Sequence, residues 1–112
     1  MKKYRIAMTV QANDDIIDTG DYITYTLLEP ETARAFVRGL RESISTLKEL
    51  PYRHPFANDE VLASQGIRCL PYKNYFIFYQ VIENPSTVII LRVGYSRRNW
   101  RKILASMRAE NN

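Results

Sequence analysis

Tyr75-Phe76-Ile77-Phe78-Tyr79 is apolar or aromatic at every position, with a Lys73-Asn74 turn signal before it and Glu83-Asn84-Pro85-Ser86 after it. A half-exposed strand would alternate. One that is apolar on both faces belongs in the middle of a sheet, with one face under other elements and the other lining something. The spacing predicts strands on either side of it, Gly66 to Pro71 and Thr87 to Val93, so the second half of the chain reads as a β-meander. Lys3 to Val10 alternates, with Tyr4, Ile6, Met8 and Val10 on one face, and predicts a further half-buried strand.

Helices fill the space between. Asn13-Asp14-Asp15 offers capping side chains, and Ile16, Gly20, Ile23 and Leu27 then recur at helical spacing. A second helix starts at Pro30, carries Ala33, Phe36, Val37, Leu40, Ile44, Leu47 and Leu50 as its apolar stripe, and stops at Pro51. With only Leu28-Glu29 between them, the two form an antiparallel hairpin. Pro51 to Gln65 reads as a loop, and a last helix from about Asn99 to Ala109 has Trp100, Ile103, Leu104 and Met107 as its stripe. The expected fold is α+β, in the order β-α-α-β-β-β-α, with the helical hairpin on one face of a small, mostly antiparallel four-stranded sheet. At 112 residues the chain has room for one domain, spanning 1–112, and one two-layer core.

Composition narrows the function classes. No apolar run approaches the ~20 residues of a membrane span, and no signal-peptide segment follows the basic start, so a soluble cytoplasmic protein is expected. Cys69 alone makes no internal disulfide, and Cys69 with His54 makes no zinc site. No glycine-rich phosphate loop and no serine elbow occurs, so neither metal nor cofactor is called for. Charge is uneven. Residues 1–60 carry eight basic and ten acidic side chains, whereas residues 61–112 carry eight basic ones against Glu83 and Glu110. The second half favours a polyanionic partner, either nucleic acid or an acidic protein segment.

The residues able to do chemistry are therefore cations and rings: Arg68, Lys73, Tyr75, Tyr79, Arg92, Tyr95, Arg97, Arg98, Trp100, Arg101 and Lys102. Cations meet phosphates and rings stack on unstacked bases. RNA can be cut without metal when its own 2′-hydroxyl attacks the neighbouring phosphate, given a base, a cation and an acid. Each residue also has a plainer reading. Tyr75 and Tyr79 suit sheet packing, Trp100 begins a helical stripe, Arg68 and Lys73 border a turn, and His54 reads as an exposed loop histidine. Arg92, inside an apolar strand, needs either a Glu or Asp from the helices or a functional groove.

Three segments in order carry a family resemblance. Pro30-Glu31-Thr32-Ala33-Arg34-Ala35-Phe36 through Leu50-Pro51 resembles the second helix of the RelE/ParE toxins. Gly66-Ile67-Arg68 through Tyr79 is similar to their central hairpin, and Val88 to Val93 followed by Tyr95-Ser96-Arg97-Arg98-Asn99-Trp100 to their last strand and basic C-terminal signature. The resemblance implies a small bacterial toxin that a cognate antitoxin wraps. Ribosome-dependent messenger-RNA nucleases and DNA gyrase inhibitors share this fold, so fold cannot choose between them. The nuclease branch carries an arginine where this chain has Phe76, and lysines on the strand where it has Ile67 and Cys69. The wording around Asn74-Tyr75 is closer to the ParE side. Metal-independent cleavage of messenger RNA, the activity of the more populous branch, is the first expectation. The alternatives are gyrase inhibition and a degenerate member that only pairs with its antitoxin. Under cleavage, Arg97, Arg98, Arg68, Tyr75 and Trp100 are the expected catalytic set, with Lys73, Tyr79, Arg92, Arg101 and Lys102 binding substrate and His54 a further candidate for proton transfer. Late cations and exposed rings are expected to converge on one hollow, acid-poor side of the sheet.

Overall fold

The computed structural model describes residues 2–111, with side chains as far as Met107. β1 (Arg5–Met8) enters a helical hairpin of α1 (Val10–Asp21) and α2 (Pro30–Ser45). A short α3 (Glu60–Ser64) leads to the meander β2 (Arg68–Tyr72), β3 (Tyr75–Glu83) and β4 (Ser86–Tyr95), and α4 (Trp100–Asn111) follows. The sheet order is β1-β4-β3-β2, with β1 parallel to β4 and the other pairs antiparallel. The apolar strand β3 is central, as expected.

Local departures have local causes. β1 stops early because Thr9 caps α1 a turn before Asn13: its Oγ1 accepts the Ala12 N–H at 3.0 Å and donates to the Leu91 carbonyl at 2.8 Å. Val10, expected on the buried strand face, is thus the first helical residue and lies exposed. α1 ends in a π-helical turn, Tyr22–Thr26, whose wider winding carries Leu27 off the Ile16–Ile23 stripe and into solvent. α2 begins at Pro30 as expected but yields to a tighter turn at Thr46–Lys48, which leaves Leu47 buried and Leu50 exposed. The expected loop before β2 contains α3, whose N-terminus Asp59 caps by accepting the Val61 and Leu62 N–H groups at 2.9 and 3.1 Å.

Both faces of the sheet are covered. Ile16, Leu40, Ile44, Leu47, Ile77, Tyr79, Val88 and Ile90 form the core between the sheet and the α1–α2 hairpin. Gly39 leaves room there for the Tyr72 hydroxyl, which donates to the Phe36 carbonyl of α2 at 3.0 Å and which a Cβ at 39 would displace. On the opposite face Leu62, Cys69, Phe78, Trp100, Leu104 and Met107 form a second core under α3 and α4. The hollow side anticipated from the sequence is therefore largely filled, since α4 has an apolar stripe to bury, at about 1.5–3 kcal/mol per large side chain. A bulge in β4 serves both cores. Tyr79 pairs with Ile90 and Phe78 with Arg92, so Leu91 is unmatched. Alternation resets there, and Val93 joins Val88 and Ile90 in the hairpin-side core while Leu91 packs on the α4 side.

Candidate functional site

The cations that do converge lie where β4 hands over to α4. Gly94 permits the junction: a Cβ there would sit 2.7 Å from the Trp100 ring. Trp100 folds back over β4, donates its indole N–H to the Tyr95 carbonyl at 3.0 Å and packs 4.8 Å, centroid to centroid, from Phe78. The chain between them must turn outward, which exposes Arg97 and Arg98. Arg98 lies 5.3 Å over the Trp100 ring. Lys102 is exposed one turn further on. Among the described residues no carboxylate lies within ion-pair range of Arg97, Arg98 or Lys102.

Beneath this cluster runs a groove of about 450 Å³ between the loop before α3 and the start of α4. Phe76, Phe78, Cys69 and Trp100 line it, with Phe56 and Leu62, and Arg98 and Arg101 reach it from the α4 side. Arg101 is not free: its Nε donates to Asp59 Oδ2 at 2.7 Å, tying α4 to the α3 cap. The Asp59 carboxyl is held low mainly by the Leu62 N–H, with Arg101 adding to it. Arg98 also borders a smaller cleft of about 230 Å³ toward α1, where Tyr22, Tyr75 and Tyr95 stand beside Asp15 and Asp18.

The other expected site residues lie elsewhere. Tyr79 is fully buried, donates to the Pro51 carbonyl at 2.6 Å, and has its phenol pushed up to about 12 by burial. It is core. Arg92, expected to bind substrate, makes a bidentate pair with Asp15 on α1, Nε to Oδ2 at 2.7 Å and Nη2 to Oδ1 at 2.9 Å. Of the two readings open for it, the helical carboxylate is the one found. Arg68 straps the preceding loop to β2: its Nη1 donates to the His54 carbonyl at 2.7 Å, and its guanidinium stacks 4.2 Å from the Phe56 ring. Tyr75 is half-buried on the hairpin side, edge-on to Phe36 at 5.0 Å, and Lys73 sits in the β2–β3 turn at φ 53° near Phe36 and Tyr72. Trp100 is a packing residue with 6% of its surface exposed.

Proton-transfer chemistry is poorly supplied. Burial, with Arg53 adding to it, lowers the His54 pKa, and among the described residues its enclosed Nε2 has no hydrogen-bond partner. His54, read as an exposed loop residue, is half-buried edge-on to Tyr79 at 6.5 Å. Burial also pushes the Cys69 thiol up to about 12, far from a reactive thiolate. The arrangement can grip an anionic group at the α4 junction and seat an apolar side chain in the groove. The sequence reading has the second face of β3 lining something, but it lacks α3, which walls the groove. Phe76 and Phe78 alternate with Tyr75, Ile77 and Tyr79, which signals a second buried face, and Asp59 before Glu60 signals the helix that walls it.

A family model described as the ParE toxin of the type II toxin-antitoxin system, parDE, matches residues 6–100. No curated protein sequence matches the chain. Among solved structures, the chain is similar to one described as the chromosomal ParDE TA system from P. aeruginosa, with TM-score 0.70 and 21% identity over 85% of this chain and 98% of that one. It is also similar to the toxin-antitoxin complex RelBE2 from Mycobacterium tuberculosis, with TM-score 0.58 and 22% identity over 85% of this chain and 93% of that one. At such identities the likeness is one of fold, and it spans both branches. The family match covers most of β1 through the start of α4, and on that ground the chain belongs to the ParE toxin family of type II toxin-antitoxin systems.

Proposed function

We propose that this toxin arrests growth by binding a protein target, DNA gyrase, and breaks no RNA bond. One observation carries the reading. The positions at which a nuclease of this fold would bear cations, Ile67, Cys69 and Phe76, are apolar here and pack into or against the core beneath α4. A phosphate brought to that face would meet phenylalanine and an un-ionised thiol. Arg97 and Arg98 remain to hold negative charge, but with no base beside them they bind and do not cleave. Their natural counterpart is an acidic segment of the cognate antitoxin, with the groove taking an apolar side chain from the same segment.

The test is to add the purified chain to gyrase with relaxed plasmid, and separately to translating ribosomes. Loss of supercoiling with intact transcripts is expected. Transcripts cut within reading frames while supercoiling proceeds normally would overturn the reading and restore messenger-RNA cleavage.

A further inference from the structure

The toxin's charge is segregated. No lysine, arginine or histidine lies between Ile6 and Ala33, a stretch that holds Asp14, Asp15, Asp18, Asp21, Glu29 and Glu31. Asp15 is occupied by Arg92 and Glu31 by Arg34. Asp18, Asp21 and Glu29 are exposed, with no cation in ion-pair range among the described residues. Asp21 and Glu29 flank the turn at the end of the α1–α2 hairpin, the end that the π-helical turn widens, and Asp18 lies one turn back, in the cleft that Arg98 borders.

That same end exposes apolar side chains. Tyr25 is 74% and Leu28 77% exposed, with Tyr22 and Leu27 about half exposed beside them. Leu28 is the more telling residue. Its φ of 57° is left-handed, a conformation glycine adopts freely and leucine only under strain. A leucine that bears this strain and then projects into solvent has no packing reason within its own chain. The neighbouring Leu27 and Glu29 N–H groups close the turn on the Tyr22 and Ile23 carbonyls, bonds that a glycine at 28 would leave intact.

We propose that this acidic, apolar end of the hairpin is a docking surface for a lysine- or arginine-bearing segment of the protein that the toxin arrests. The identity of that protein rests on the gyrase reading above. The surface itself rests on its own charge and shape. Uncompensated carboxylates repel nucleic acid and an acidic antitoxin segment alike, and they attract a cationic protein surface whose apolar side chains can close on Tyr25 and Leu28. Opposite charges thus assign two surfaces of one molecule to two partners, the basic α4 junction to the antitoxin and the acidic hairpin turn to the target, with Asp18 and Tyr22 in the cleft where the two meet.

The experiment compares the parent with Leu28→Gly, Tyr25→Ala and the double variant Asp21→Lys/Glu29→Lys. Growth arrest on induction, affinity for purified gyrase at low and high salt, affinity for the antitoxin, and the thermal midpoint are measured for each. Leu28→Gly is expected to keep or raise the midpoint, because it relieves the left-handed strain, yet to weaken gyrase binding at least about tenfold. The lysine double variant is expected to lose arrest and to abolish the salt dependence of gyrase binding, with antitoxin affinity unchanged in all three. Variants that arrest growth like the parent would overturn the proposal, as would variants that lose only the antitoxin. A parent that arrests growth but does not bind gyrase, with arrest lost in the variants, would keep the docking surface and reject gyrase as its target. A parent that arrests nothing would overturn both.

Discussion

Asp15 joins α1 to β4 through three bonds: two from the Arg92 guanidinium and one from the Val93 N–H at 2.9 Å. Only 11% of the Asp15 side chain and 17% of the Arg92 side chain meet solvent. Removing the carboxylate takes the bidentate acceptor from a largely buried cation and the acceptor from the Val93 N–H, so Asp15→Ala should cost about 3 kcal/mol, read as a lower urea midpoint at unchanged slope. A loss below about 1 kcal/mol would place the pair among ordinary surface bridges. The sequence showed that Arg92 needed an acid or a groove, but not which. Asp15 lies 77 positions away. Simple alternation would set Arg92 on the face of Val88 and Ile90, and the bulge at Leu91 interrupts that register. Tyr79 was ambiguous for another reason. A ring that could stack on a base is also a ring that fills a core, and only the third dimension reveals the Pro51 carbonyl waiting for its hydroxyl.

Elements with a strong apolar period were readable and their ends were not. The stripe Trp100, Leu104 and Met107 faces the sheet as its spacing required, with Ile103 half-buried beside it. α1 starts earlier than expected because Thr9 has a second partner in Leu91, which no local pattern contains. α3 was read as loop because five residues are too few for a period to show. The α4 junction depends on one missing methyl group. In Gly94→Ala the new Cβ would lie 2.7 Å from the Trp100 ring, which must move. The expected cost is about 1–3 kcal/mol. Trp100 is the chain's single tryptophan, so its fluorescence should shift to the red as the ring meets water, giving a direct report on the seat of α4. An unchanged spectrum and midpoint would mean that the end of β4 gives way instead.

Across the whole molecule, Glu83 at the end of β3 gathers distant segments: it accepts from Lys2, Tyr4 and Tyr52. Lys2, then the Tyr52 and Tyr4 hydroxyls, hold its carboxyl down at about 2. Its folded pKa lies below that of the unfolded chain, so the unfolded state takes up the proton first. The stabilisation is complete above about pH 4.5 and disappears as pH falls toward 2. Glu83→Gln should flatten the acid limb of a midpoint-against-pH curve through that window and leave its neutral limb parallel to the parent's. An unaltered acid limb would mean that other carboxylates govern acid unfolding. At this scale the fold class and sheet were legible, since they follow from period and order. The charge segregation was legible as a number but not as a shape, because the sum over residues 1–60 mixes the acidic α1 with the basic α2. The sheet order carries a further consequence. β1 has its only strand neighbour in β4, so Arg5 must wait for Thr87 before it can be paired. A ribosome that has released β1, the hairpin and even β2 has not yet made the strand that β1 pairs with, so an early-made edge stays unclasped until β4 emerges.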